Sequence, residues 1–534
     1  MSLLLWSALL LWTSLVLASP IVDLGYARYA GLTNSAGVNE FLGMRFAQAP
    51  TGNLRWRAPQ DPNIEGIEDL VPAQSFKPIC IGVGQNAASS SYSEDCLYIN
   101  VFGPANATAT SQRLPVWVFI QGGGYGTNSN ANYNGTKIIE ESGHNIVFVN
   151  FNYRVGALGF LASARIRDNG ALNVGLLDQR KALVWVKKNI HLFGGDSDHI
   201  VIHGMSAGGG SAAHHLTAYG GRNDDLFIGA VLESPFFPTM RTIEDSEFQF
   251  DHLVNKTGCF GESDELACLR GADLSALQKG NTAFPYPGAT GKPNYSFLPV
   301  IDSDFVQASM FQQFKSGKFV RVPTLVGGVS NEGDTFVPNA KYQSSVNDYL
   351  SANFPHLTTE NLTEIDAAFG LYQRAGRNRY FGQASAAFGN GSLACGGLLV
   401  SHTVSHYVGA SKAWNYRYNL LEPASAAKNL GVPHGADIPA VFGVGYGGTA
   451  DTTLGTVNAD LVSVLMSYYI SFIRSLDPNT YRNALALRFK PYGIKGGRRL
   501  LLQMPLESNK MESVPDEQFD GCKVWEALSP FTGQ

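Results

Sequence analysis

Several things are scarce in this sequence. Only 16% of its residues are charged, and Lys plus Arg (39) number fewer than Asp plus Glu (44), which leaves a net charge of −5. Without a basic excess there is no electrostatic footprint for nucleic acid or for an anionic membrane surface. After residue 18 no apolar run reaches spanning length and the closing ALSPFTGQ carries no anchor signal, so no stable membrane anchoring is expected. There is no Ser/Gly/Pro-rich linker, no repeat and no low-complexity tract, although 534 residues ordinarily divide into three or more domains. The apolar fraction of 44% is spread evenly, and one large domain over residues 19–534 is expected.

The amino-terminal block MSLLLWSALLLWTSLVLA (1–18) lacks Lys and Arg, yet its length and its small-residue close at Val16-Leu17-Ala18 fit a signal peptide. A buried amino-terminal helix is the alternative, disfavoured because no polar face interrupts the block. Export is therefore expected, with the chain secreted and extracellular. Six cysteines, an even number, suit disulfides in an oxidising compartment. Six sequons, at Asn106, Asn134, Asn255, Asn294, Asn361 and Asn390, are open to glycans.

What is present is alternation. The short apolar runs PVWVFI (115–120), NIVFVNF (145–151), IVIHG (200–204), GAVLES (229–234), VPTLVGG (322–328) and WNYRYNL (414–420) read as buried strands. Between them lie helical patterns such as LLDQRKALVWVKKNI (176–190). Strand alternating with helix predicts an α/β fold with a large, mostly parallel central sheet flanked by helices. Functional groups in such sheets gather beyond the carboxyl ends of the strands.

IVIHGMSAGGGSAAHHL (200–216) runs from strand through a glycine turn into a helix, with Ser206 at the turn. With 58 glycines in the chain, a chance GxSxG has a probability of about a half, so the serine needs partners elsewhere. A hydroxyl becomes nucleophilic only when an oriented base takes its proton. The strand–turn–helix context is that of a nucleophile elbow, which aims the amide of Ala207 at a developing oxyanion. FIQGGGYG (119–126) follows a strand directly, and Gly123 and Gly124 are the expected further donors. Among the eleven histidines, His434 in GVPHGADIPAVFG lies in a loop after the last of these strands. His203, His214 and His215 lie close to Ser206 in sequence but are expected to point away from it. His402 and His406 stand four apart on a predicted helix, a spacing that raises a metal pair; no carboxylate lies at ligand spacing, so packing is expected there. For the acid, LVGGVSNEGDTF (325–336) offers Glu332 and, two residues on, Asp334. The order Ser206, Glu332, His434 is that of α/β-hydrolases.

FGGDSDHIVIHGMSAG (193–208) and EDCLYINVF (94–102) resemble the two signature segments of the type-B carboxylesterase/lipase family, which includes the cholinesterases. With GMRFAQAP (43–50), NYRVGALGF (152–160) and HGADIPAVFG (434–443), the resemblance spans nearly the whole chain after residue 18 and is nearest to fungal secreted carboxylesterases. It implies the α/β-hydrolase fold, Glu332 as the acid, ion pairs of Arg45 with Glu94 and of Arg154 with Asp178, and Ser234 and Asp437 behind the histidine. Of the fifteen pairings that six cysteines allow, it implies Cys80–Cys96, Cys259–Cys268 and Cys395–Cys522.

The departures from the family narrow the substrate. Lipases of the family carry an amphipathic lid in the loop closed by the first disulfide. Here IGVGQNAASSSYSED is small and polar, so interfacial activation is not expected. Cholinesterases use a tryptophan in that loop and a glutamate before the serine; this loop has no Trp, and Met205 precedes Ser206, which disfavours a quaternary ammonium ligand. Met205, with Phe236 and Phe237 from SPFFPTM (234–240), points to an apolar acyl site, unless the two phenylalanines are core residues. Gln121 stands where many relatives have histidine. The expected activity is ester hydrolysis by a Ser206–His434–Glu332 triad on a small-molecule ester, with no metal or cofactor. The alternatives are a lipase for longer acylglycerols, a tailoring esterase for one metabolite, or a non-catalytic cholinesterase-like binding protein.

Overall fold

The computed structural model describes residues 19–64, 69–107, 113–128, 132–447, 453–493 and 497–534. The expected signal peptide lies outside the described residues. Every predicted strand is present. The central sheet has eleven strands: β1 (Leu32–Thr33), β2 (Val38–Arg45), β3 (Tyr98–Pro104), β4 (Leu114–Ile120), β5 (Val147–Phe151), β6 (Gly195–Met205), β7 (Gly229–Glu233), β8 (Thr324–Val329), β9 (Ala413–Tyr418), β10 (Arg498–Leu502) and β11 (Lys510–Ser513). Their spatial order is β11-β10-β9-β8-β7-β6-β4-β5-β3-β2-β1. From β10 to β5 the neighbours are parallel, and the margins are antiparallel.

The parallel strands are apolar on both faces because both faces are covered. On one side Val116, Val118, Ile202, Leu232 and Val326 join a core with residues of α1 (Val174–Asn189), α2 (Ala207–Gly221, non-helical at 218–220) and α3 (Cys395–Tyr407). On the other, Trp117, Phe119, Val201, Val231 and Leu325 join α4 (Ile438–Phe442) and α5 (Ala459–Ser475). Alternate residues of one strand thus feed two different cores.

Cys80–Cys96, Cys259–Cys268 and Cys395–Cys522 are all bridged, the last spanning 127 residues. Arg154 grips Asp178 through Nε and Nη2, both at 2.7 Å. The other expected pair is displaced by one residue: Arg45 forks onto Asp95 at 2.6 and 2.7 Å, while Glu94 takes Arg55 at 2.6 Å through both oxygens. Neighbouring acids on an extended segment point opposite ways, so each meets a different arginine. Among the sequons, Asn106 and Asn255 are exposed, while Asn134, Asn294 and Asn390 are half-buried. Asn361 is 7% exposed, and its Oδ1 accepts the Thr358 N–H at 3.1 Å in the capping box of the Thr359–Ala368 helix.

Candidate active site

β6 ends at Met205 and α2 begins at Ala207, so Ser206 is the whole turn. Its backbone has φ 60° and ψ −123°, a left-handed conformation that costs a non-glycine residue about 1–3 kcal/mol. The surroundings hold it there. The Ser206 N–H donates to the Glu233 carbonyl, and its own carbonyl accepts from Gly210 and Phe236, each at 2.9 Å. Gly204 and Gly208 are required by space rather than by flexibility. A Cβ on Gly204 would lie 1.9 Å from the Gly208 carbonyl oxygen, and one on Gly208 would lie 2.0 Å from that of Ile120.

The glycine segment after β4 meets this turn. A Cβ on Gly122 would fall 2.8 Å from both the Met205 carbonyl oxygen and Ser206 Cβ. Gly123 (φ 118°) and Gly124 (φ 62°) adopt conformations that favour glycine. The Gly123 carbonyl is taken by Gly126 N–H at 3.1 Å and Thr127 N–H at 3.0 Å, whereas the amides of Gly123, Gly124 and Ala207 donate to no group among the described residues. Gln121 anchors the segment: its Nε2 donates to Asn128 Oδ1 at 2.5 Å, and Asn128 in turn donates to the Cys80 carbonyl at 3.1 Å. Tyr153 Oη donates to the Gln121 carbonyl at 2.9 Å.

Glu332 and His434 meet: Glu332 Oε2 lies 2.7 Å from His434 Nδ1. Glu332 Oε1 is held by Ser234 Oγ at 2.7 Å and by the Val329 N–H at 2.9 Å. His434 Nε2 is buried with no hydrogen-bond partner among the described residues. Its loop lies against the elbow, since a Cβ on Gly435 would stand 3.2 Å from Met205 Cε. Asp334, the competing carboxylate, is engaged elsewhere. Its Oδ1 accepts from Ser385 Oγ at 2.6 Å, and its Oδ2 from the Gly431 N–H at 2.7 Å and Arg374 Nη1 at 3.1 Å. Asn331 adds a bridge from the same loop, giving its N–H to the Val432 carbonyl at 2.9 Å and accepting the Val432 N–H on Oδ1 at 3.0 Å.

The apolar walls differ in part from expectation. Phe236 lies beside the turn, its ring 6.2 Å from that of Tyr125 and 5.6 Å from that of Tyr295. Phe237 is 1% exposed and packs on Phe311 and Gly396, in the core, with its N–H donating to the Ser392 carbonyl at 2.7 Å and its carbonyl accepting from Gln534 Nε2 at 2.5 Å. Met205 packs between the elbow and the His434 loop within the second core. Two aromatic residues escaped sequence reading. Phe336 sets its ring 5.2 Å from the His434 ring, and Tyr295 lies over the glycine segment, where a Cβ on Gly124 would meet its Cζ at 2.0 Å. Both sit in loops without periodicity; the nearness of Phe336 to Glu332 in sequence was the only signal.

His203, His214 and His215 are buried away from the elbow, and burial pushes His214 down to about 3 and the other two well below the ordinary imidazole range. His402 and His406 are exposed on α3. Among the described residues no cluster of His, Cys, Asp and Glu forms a metal site, and no helix is long and apolar enough to cross a membrane.

Residues 18–520 match the profile of the carboxylesterase family. The chain is 30% identical to Lipase 1 of Geotrichum candidum, with 92% of each chain covered. It is 29% identical to Secreted lipase 4 of Gibberella zeae, covering 91% of this chain and 88% of that one. Among solved structures it resembles Aspergillus niger EstA, with a TM-score of 0.94 and 48% identity over 97% of this chain and 99% of that one.

Proposed function

This chain belongs to the carboxylesterase family and is a carboxylic ester hydrolase; from that premise we propose that it is a secreted serine esterase working through an acyl-enzyme on Ser206. The observation that carries the reading is the state of His434. One ring nitrogen is fixed by Glu332 at 2.7 Å, the other is buried and unpaired among the described residues, and the loop that carries the ring lies against Met205 of the elbow. A carboxylate on Nδ1 holds the proton there and leaves the Nε2 lone pair to take the serine proton.

Ser206 Oγ attacks the ester carbonyl as its proton passes to His434 Nε2. The carbonyl oxygen becomes an oxyanion held by the amides of Gly123, Gly124 and Ala207, each such bond contributing about 3 kcal/mol to the transition state. His434 then protonates the leaving alcohol, while Glu332 stabilises the imidazolium. Water then attacks the acyl carbonyl as it gives a proton to the same nitrogen, and His434 returns that proton to Ser206 Oγ as the acyl–oxygen bond breaks and the acid leaves. Met205, Phe236, Tyr295 and Phe336 supply apolar surface for the acyl and alcohol groups.

Soluble, short-chain esters are the substrates this site favours. The segment between Cys80 and Cys96 is built of turns and one short strand pair, with no amphipathic helix to turn over at an oil surface. The Geotrichum and Gibberella relatives are named lipases, and another Gibberella relative a triacylglycerol lipase, which favours a second reading, hydrolysis of acylglycerols. The proposed secretion draws support from the relatives named as secreted and from the signal-like residues 1–18. A panel of p-nitrophenyl esters from acetate to palmitate, run beside Ser206→Ala, tests the assignment: activity should fall with chain length, and the variant should lose at least about 10³ in kcat while remaining folded. A jump in rate on tributyrin above its solubility limit, with triolein hydrolysed as fast, would establish the lipase reading instead.

A further inference from the structure

Beneath the elbow, on the face of the sheet covered by α4 and α5, runs a line of buried polar groups that the mechanism above does not use. Trp117 (β4), His203 (β6), Glu233 (β7), Tyr416 (β9), Asp437 at the start of α4 and Tyr469 (α5) are all sealed from solvent. Trp117 Nε1 lies 3.1 Å from His203 Nδ1, and His203 Nε2 lies 2.9 Å from Glu233 Oε2. Tyr416 Oη lies 2.8 Å from Asp437 Oδ2 and 2.7 Å from Tyr469 Oη.

The proton positions along this line follow from chemistry. An indole N–H only donates, so His203 Nδ1 must accept and the neutral ring carries its proton on Nε2, which donates to Glu233 Oε2. Tyr416 gives its one proton to Asp437 Oδ2 and therefore accepts from Tyr469. Two atoms remain: Glu233 Oε1 and Asp437 Oδ1, both buried and otherwise without a partner. The two lines meet in one sealed cluster, where the His203 ring lies 5.2 Å from that of Tyr469, and each carboxyl group acts on the other's titration. Two bare carboxylates buried together would repel; one proton between them completes the line.

We propose that Glu233 and Asp437 share a single proton, and that this pair is a positioning element that ties the nucleophile's turn to the histidine's loop. The inference rests on Ser206 and His434 being the reaction centre. The Glu233 carbonyl takes the Ser206 N–H at 2.9 Å, while its buried carboxyl group acts on that of Asp437, three residues beyond His434. One residue thus holds the strained serine by its backbone and the histidine segment by its carboxyl group. Burial pushes Glu233 up to about 8 and Asp437 well above the carboxylate range, with the charge of Glu332 adding to both. The other titratable groups around the pair are His203, Tyr133, Tyr416, Tyr418 and Tyr469.

Amide substitutions test the shared proton. In Glu233→Gln the amide oxygen still accepts from His203 and the NH₂ donates to Asp437. In Asp437→Asn the oxygen still accepts from Tyr416 and the NH₂ donates to Glu233. Each single change therefore supplies a hydrogen where the shared one was. In the double variant two NH₂ groups face one another. Turning the glutamine is blocked because Trp117 fixes the His203 tautomer, and turning the asparagine reverses Tyr416 and strands the Tyr469 hydroxyl. The expected result is that Glu233→Ala lowers kcat on p-nitrophenyl butyrate at least about tenfold with KM little changed, that Glu233→Gln recovers most of that loss, and that the double amide falls about tenfold below the product of the singles. Melting temperatures of the same four proteins should show the same non-additivity. Additive singles, or Glu233→Gln as damaging as Glu233→Ala, would overturn the shared proton. Coupling in melting temperature with additive kcat would overturn the positioning role. Full activity in Ser206→Ala would remove the reaction centre itself and leave the coupling in melting temperature standing.

Discussion

Glu332 and Asp334, two residues apart on one loop, hold the same histidine segment at two points: Glu332 Oε2 meets the His434 ring at 2.7 Å, and Asp334 Oδ2 meets the Gly431 N–H at 2.7 Å. One carboxylate touches the proposed base and the other fastens the loop that carries it. The two should separate cleanly on substitution. Glu332→Gln, which keeps the shape but disturbs the imidazole tautomer, should lower kcat by about 10³–10⁴ with little change in melting temperature. Asp334→Asn should cost about 1.5–3 kcal/mol of stability through the weakened charged bonds to Arg374, Ser385 and Gly431, with a far smaller loss of kcat. Kinetics and thermal melts of both proteins decide this; equal kinetic losses would mean that Asp334 is the acid or that it too touches the base.

The glycine segment makes a sharper demand. Gly124→Ala places a Cβ 2.0 Å from Tyr295 Cζ at a residue with φ 62°, so both space and backbone resist it. Its kcat should fall by about 10² or more, the scale of losing one oxyanion donor. Tyr295→Ala in the same chain removes the collision but not the strained φ, and should recover part of the rate. No recovery would mean that the ring does not press on the segment.

Stability should depend on pH with a maximum near neutrality. Burial holds His214 at about 3 and His203 and His215 well below the usual range, so these rings stay neutral in the fold and take up protons only on unfolding. Their contribution is present above about pH 6.5 and is lost as pH falls. The Glu233–Asp437 pair has the opposite sign: its raised carboxyls retain a proton that the unfolded chain has lost, so its contribution fades as pH rises towards about 8. Between pH 6 and 5 the unfolded chain holds up to about three protons at the histidines against one kept by the folded pair. These five groups should therefore lower stability by up to about 2.7 kcal/mol per pH unit on acidification. Melting temperature followed from pH 5 to 9 checks both limbs; a curve level or rising from pH 7 down to 5 would contradict the histidine assignment.

Much of this is legible in the sequence. The six apolar runs became strands because burial on both faces of a parallel sheet leaves no room for polar alternation. The Ser206 turn and the Gly122–Gly124 segment announced themselves because close backbone approach admits no side chain. Other features had no such signal. Glu233 ends an apolar strand, and only the fold shows that its carboxyl meets another in the core. Tyr295 and Phe336 come from loops whose placement depends on distant packing. Glu94 and Asp95 are adjacent acids, and which arginine each one meets is decided by the direction of one extended segment. Phe236 and Phe237 likewise part ways, one towards the serine and one into the core, because neighbouring side chains on extended backbone diverge.

The most direct test of the central claim is covalent labelling of the folded protein with a dialkyl organophosphate, followed by peptide mass spectrometry. One adduct per chain is expected, on the peptide holding Ser206, with esterase activity lost in proportion to labelling and with no adduct in His434→Ala. Modification of a different residue, or full activity after Ser206 has been modified, would contradict the acyl-enzyme mechanism.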